Sequence, residues 1–94
     1  MIRRMRRAYN MPVIGMVGSV KVLMYYNDHA PPHVHLDAGG DVQVVVEIVG
    51  ADLPSGLFSK PDRKAILKWI RDHETELLAN WARASAGIPL VKIT

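Results

Sequence analysis

His33-Val34-His35-Leu36-Asp37-Ala38-Gly39-Gly40-Asp41-Val42-Gln43-Val44-Val45-Val46-Glu47-Ile48-Val49 is the stretch that decides the fold. Two runs rich in β-branched residues flank Ala38-Gly39-Gly40, which is the pattern of a β-hairpin. Side chains alternate across a strand. For Val34 and Leu36 to share a face with Val42, Val44, Val46 and Ile48, the connecting loop must have an odd number of residues. The simplest such loop is Ala38-Gly39-Gly40, a three-residue turn with Asp37 opposite Asp41. His35 then pairs with Gln43, and His33 with Val45, on the face away from the valines. A two-residue loop would slip the register by one and bury both histidines among the valines.

Upstream, Met11-Pro12 reads as the start of the folded part. Val13 to Val17 is a short strand, Gly18-Ser19 a turn, and Val20 to Tyr26 a second strand with Val20, Val22, Met24 and Tyr26 on one face. Asn27 to Pro32 must be irregular, because Pro31 and Pro32 cannot donate ladder hydrogen bonds and each restricts its predecessor.

Downstream, Gly50 to Phe58 is a loop containing Pro54 and Gly56. Ser59-Lys60-Pro61-Asp62 has the spacing of a capped helix start. Ile66, Trp69, Ile70, His73, Leu77 and Trp81 then recur at three- and four-residue intervals, marking an amphipathic helix that Gly87 and Pro89 end. Unbroken, that helix would be about 39 Å long at ~1.5 Å per residue. A chain of this length has a radius of gyration of only about 12 Å. The helix is therefore expected to bend near His73, or to overhang and pack on a partner. Leu90-Val91-Lys92-Ile93 is expected to add a short final strand whose edge another chain could pair with. The fold class is α+β: a small antiparallel sheet of three or four strands packed on one long, amphipathic C-terminal helix.

The chain has 94 residues, 49% of them hydrophobic, enough for one core. A domain this small is only marginally stable, so an obligate partner or a homodimer is expected. With no cysteine, disulfides and thiolate zinc sites are excluded. No apolar run reaches membrane-spanning length, and the layout of a signal peptide is missing, so no membrane partner is expected and the cytoplasm is the expected location. The formal charge of +3 comes from Arg3, Arg4, Arg6 and Arg7 in residues 1–10. The other eight basic residues face nine acids, a net of −1. Residues 1–10 are thus a basic N-terminal extension and residues 11–94 the single domain. The extension is either a solvated terminus or a contact for RNA, DNA or acidic lipid.

Three histidines within seven residues, His29, His33 and His35, flanked by Asp28 and Asp37, carry the chemistry. His33 and His35 point the same way from a strand. Such a pair can ligate zinc, iron, nickel or copper, and His29 or Asp28 could add a ligand from the loop. Alternatively one histidine is a general base. A third reading is structural: Asn27 and Asp28 make turn hydrogen bonds, the prolines stiffen the bend, and the histidines bond to backbone or to Gln43. His73 lies within the apolar stripe and is expected to be a satisfied core residue. Trp69 and Trp81 are expected in the core, or at a partner surface if exposed. Lys60, Lys64, Lys68 and Arg71 form a basic stripe, either the solvated helix face or a phosphate contact. The net acidity of the remaining chain favours the solvated face.

Met11-Pro12-Val13-Ile14, the pair Tyr25-Tyr26, the block Asn27-Asp28-His29-Ala30-Pro31-Pro32-His33-Val34-His35 and Leu77-Leu78-Ala79-Asn80-Trp81 together resemble a small bacterial family known only as a numbered domain of unknown function. The resemblance spans residues 11–81. Members are often encoded beside a second small protein in pairs that look like toxin–antitoxin modules. The resemblance therefore implies the toxin component of such a module, silenced by a cognate small antitoxin-like protein. If catalytic, it is expected to cleave RNA in the manner of a ribonuclease, with no cofactor. His33 or His35 would be general base, the other or His29 acid or phosphate ligand, Asp28 their neighbour, and Lys and Arg side chains would stabilise charge. The rivals are a non-catalytic interaction module that docks through the Pro-Pro-His loop, and a small domain binding a divalent transition metal through His33 and His35.

Overall fold

A computed structural model describes residues 12–39 and 43–94. The basic extension, Met11, and Gly40, Asp41 and Val42 of the expected hairpin lie outside the described residues. Among those described, four antiparallel strands follow one another in a meander of order β1-β2-β3-β4. They are β1 (Val13–Val17), β2 (Val20–Leu23), β3 (His33–Asp37) and β4 (Gln43–Glu47). Two helices complete the domain, α1 (Lys60–Asp72) and α2 (Glu74–Ser85). No helix among the described residues is long and apolar enough to cross a membrane.

Alternation sets the faces as the sequence implied. Val22, Leu36 and Val44 form one cross-strand row, and Val34 pairs with Val46 in the next. With Ile14, Met24 and Ile48 they form the core, against which Ile66, Ile70 and Leu77 of the helices pack. The pairing itself differs from expectation by two residues. Asp37 lies opposite Gln43, His35 opposite Val45, and His33 opposite Glu47. Five residues, 38–42, therefore separate the paired ends instead of three. The loop stays odd, so every side chain keeps its expected face. At its start the Asp37 carboxylate accepts a 2.8 Å hydrogen bond from the Gly39 N–H.

The second strand is shorter than expected and ends at Leu23. In the first, the register shifts between Val13 and Gly15, a bulge that leaves Ile14 without a partner on β2. The Ile14 carbonyl is used instead by the Ile93 N–H at 2.7 Å. Gly15 then lies against the indole of Trp69: a Cβ there would stand 2.5 Å from the ring.

Helix α1 starts at the expected cap. The Ser59 hydroxyl accepts a hydrogen bond from the Asp62 N–H, and Pro61 occupies the first turn. The helix does not run on unbroken. At His73 the backbone turns to φ −110°, ψ 20°, and α2 restarts from there. The bend expected at this residue is thus a division into two helices. It removes the length conflict, since the longest dimension of the molecule is 34 Å. His73 is half-buried outside the core, its Nδ1–H donating to the Trp69 carbonyl at 2.9 Å. Trp69 and Trp81 are partly buried against the core.

Leu90 to Ile93 does not form the expected strand and is not a loose edge. The segment has no regular structure, Ile93 is buried, and Asn80 holds Val91 from α2.

Candidate functional site

The face of β3 opposite the core carries His33 and His35, and residues 24–32 fold back across it. Two anchors hold this loop. Asn27 adopts a left-handed φ of 55°, a conformation Asn tolerates, and its N–H donates to the Ala84 carbonyl at the end of α2. At the other end the Ile48 N–H donates to the Pro32 carbonyl at 3.0 Å. The Ala30–Pro31 peptide is cis.

Asp28 is thereby turned inward over both histidines. Its Oδ2 lies 2.8 Å from His33 Nε2 and 3.2 Å from His35 Nε2. Its Oδ1 accepts the His29 N–H at 2.9 Å. His33 is bound at both nitrogens, since Nδ1 donates to the Pro31 carbonyl at 2.8 Å. It is buried, and Trp81 of α2 covers it at 5.0 Å between ring centroids. The ring of His35 stacks on Tyr25 at 4.1 Å, and the Tyr25 hydroxyl donates to Gln43 Oε1 at 2.6 Å. Gln43 therefore fixes the aromatic neighbour and not the histidine that sequence had paired with it.

His29, the third candidate, stands apart. Its side chain is 91% exposed, with Nδ1 3.2 Å from Asp28 Oδ1 and its ring 5.9 Å from that of His33. The close triad is Asp28, His33 and His35, whose ligating atoms all lie within 4.8 Å of one another. They line a pocket of about 220 Å³ with His29, Pro31, Val45 and Glu47. No lysine or arginine lines it among the described residues. Lys60, Lys64 and Arg71 of the basic stripe line a different groove, with Asp52 and Arg63.

Burial pushes the Asp28 carboxyl up, but hydrogen bonds from His35, His33 and the His29 N–H outweigh it and hold the group below the usual carboxylate value. His35 is pushed below the ordinary imidazole value by burial first and by the neighbouring His33 second, with Asp28 opposing.

Sequence reasoning named Asp28, His33 and His35 but missed the residues that set them. Tyr25 was legible as the aromatic before the loop, and Glu47 as an acid on the histidine face. Trp81 carried only the signal of an apolar helix position.

No curated protein and no solved structure matches the chain. One family model does, over residues 20–82, which include the whole loop, the triad and Trp81: the chain belongs to the family described as a domain of unknown function, DUF4160.

Proposed function

We propose that this domain is the toxin component of a bacterial two-protein module, and that Asp28, His33 and His35 form the centre through which it cleaves RNA. The observation that carries this reading is the convergence of one carboxylate oxygen on two imidazole nitrogens, at 2.8 and 3.2 Å, in a pocket open to solvent. Buried polar groups shared in this way are expensive to maintain for packing alone. His29 and Glu47 at the rim add two groups that a bound phosphodiester would meet. The partner is a cognate small protein encoded beside this one.

Expression alone in a bacterium tests the proposal. Growth should slow and cellular RNA should be cut, and co-expression of the neighbouring small protein should restore growth. His33→Ala should relieve toxicity while the partner remains bound. A folded, well-expressed protein without effect on growth would overturn the reading. In that case the exposed tip His29-Ala30-Pro31 favours the interaction module, with this loop as the docking element.

A further inference from the structure

We infer that Asp28, His33 and His35 are the three protein ligands of a divalent transition metal ion, with a further coordination position open to the pocket. The site stands on its own geometry. Only the role of the metal, positive charge at a phosphoryl oxygen and a bound water made more acidic, rests on the proposed function.

The distances fit. Ligands at about 2.0–2.1 Å from a tetrahedral metal stand roughly 3.3 Å apart. Asp28 Oδ2 is 2.8 Å from one Nε2 and 3.2 Å from the other, each within about half an ångström of that spacing, and the ligating atoms of all three residues lie within 4.8 Å of one another. All three donors come from one short stretch of chain. Two project from the same strand face and one from the loop folded over it.

The surroundings fit as well. Metal-bound histidines commonly donate their other ring N–H to a carbonyl, which fixes the tautomer and aims the lone pair. His33 does so: Nδ1–H is spent on the Pro31 carbonyl, and Nε2 faces Asp28. Asp28 has its second oxygen occupied by the His29 N–H, which leaves Oδ2 for an ion. Stacking on Tyr25 fixes the plane of the His35 ring.

Charge decides between a metal and free histidines as the reactive groups. With Nδ1–H donating to the Pro31 carbonyl, His33 meets a carboxylate oxygen through Nε2. A proton or a metal must lie between them. With a proton there, both imidazoles point at one carboxylate oxygen, and neither Nε2 is open to a substrate. Among the described residues, the pocket lining also lacks the lysine or arginine that phosphoryl chemistry otherwise recruits. A metal satisfies the contact and supplies the charge. Two imidazoles and one carboxylate suit zinc, iron, nickel or cobalt better than magnesium or calcium, which prefer all-oxygen sites.

Titrating the tag-free full chain with Zn²⁺ by calorimetry, and with Co²⁺ by visible absorption, tests the assignment. One ion per chain is expected, with cobalt bands of a low-coordinate nitrogen–oxygen site and a rise in melting temperature on adding Zn²⁺. Asp28→Asn, His35→Gln and His33→Ala should each weaken binding by more than about 100-fold, while His73→Ala leaves it unchanged. Asp28→Asn and His35→Gln preserve volume, so their near-ultraviolet spectra keep the comparison valid if His33→Ala fails to fold. Absence of stoichiometric binding, or binding that survives both conservative variants, overturns the metal site. Growth arrest without metal binding sinks this inference alone. Metal binding without growth arrest sinks the toxin reading alone.

Discussion

Asn80 holds Val91 by both sides of its backbone: its side-chain N–H donates to the Val91 carbonyl at 2.8 Å, and its carbonyl oxygen accepts the Val91 N–H at 2.9 Å. A fully buried amide on α2 thus imitates a neighbouring strand. Arg83 donates to the same amide oxygen at 2.8 Å. This clamp lays the C-terminal segment beside β1, where Ile93 closes the core and bonds to Ile14.

Asn80→Ala should therefore cost about 2–3 kcal/mol, because one change leaves several polar groups without partners. Amide exchange at Val91 and Ile93 should rise far more than exchange in β2 or β3. Uniform loss of protection across the sheet would show that the segment is not held by this residue.

Gly15→Ala tests the contact between β1 and α1. The new methyl would need the space of the Trp69 ring, 2.5 Å away, so either the indole turns or the helix shifts. Overpacking of this kind typically costs about 1–3 kcal/mol, which in a domain of this size lowers the melting temperature by roughly 5–20 °C. Gly15→Ala combined with Trp69→Leu should recover part of the loss. Equal stability of Gly15→Ala and the parent would refute the contact.

These two contacts mark what could be read from the sequence and what could not. The sheet was legible because alternation in Val34, Leu36, Val44 and Val46 depends only on parity. A loop of five residues keeps the faces of a loop of three, so the pairing could be wrong by two while the face of His33 and His35 was right. The helix break was legible as a length conflict, and its position as the polar residue in an apolar stripe. Asn80 was not recognised, although it lies three residues from Leu77 and four from Ala84, on the buried stripe. A polar residue there is a clamp or a surface position, and only the path of residues 86–94 decides which. The inward turn of Asp28 was equally hidden. Asp28 and His29 are adjacent, and the left-handed Asn27, with its bond to Ala84, selects which of them faces the histidines.

Trp81 should report on His33, being 5.0 Å from it. In a Trp69→Phe background, emission from Trp81 should change when Zn²⁺ is added to chelator-treated protein, and His33→Gln should abolish the change. Trp81→Ala should cost about 3 kcal/mol from lost packing, and it should expose His33 to carbethoxylation by diethyl pyrocarbonate. Protection of His33 in that variant would show that the loop and not the helix shields it.

Acid should unfold the metal-free protein in two stages, and the sign follows from the two shifted groups. His35 is held below its ordinary value of 6.5 by burial, so below that value the unfolded chain takes up a proton that the folded chain refuses. Its contribution to stability is complete above 6.5 and is lost as pH falls from there through the folded value. Asp28 is held below 3.8, where the histidine hydrogen bonds outweigh burial. Its contribution is complete above 3.8 and is lost as pH falls through its folded value. Denaturation midpoints between about pH 8 and pH 3, measured with chelator present, should decline in an upper and a lower step. His35→Gln should remove the upper step and Asp28→Asn the lower. An unchanged upper step in His35→Gln would show that the loss does not come from His35.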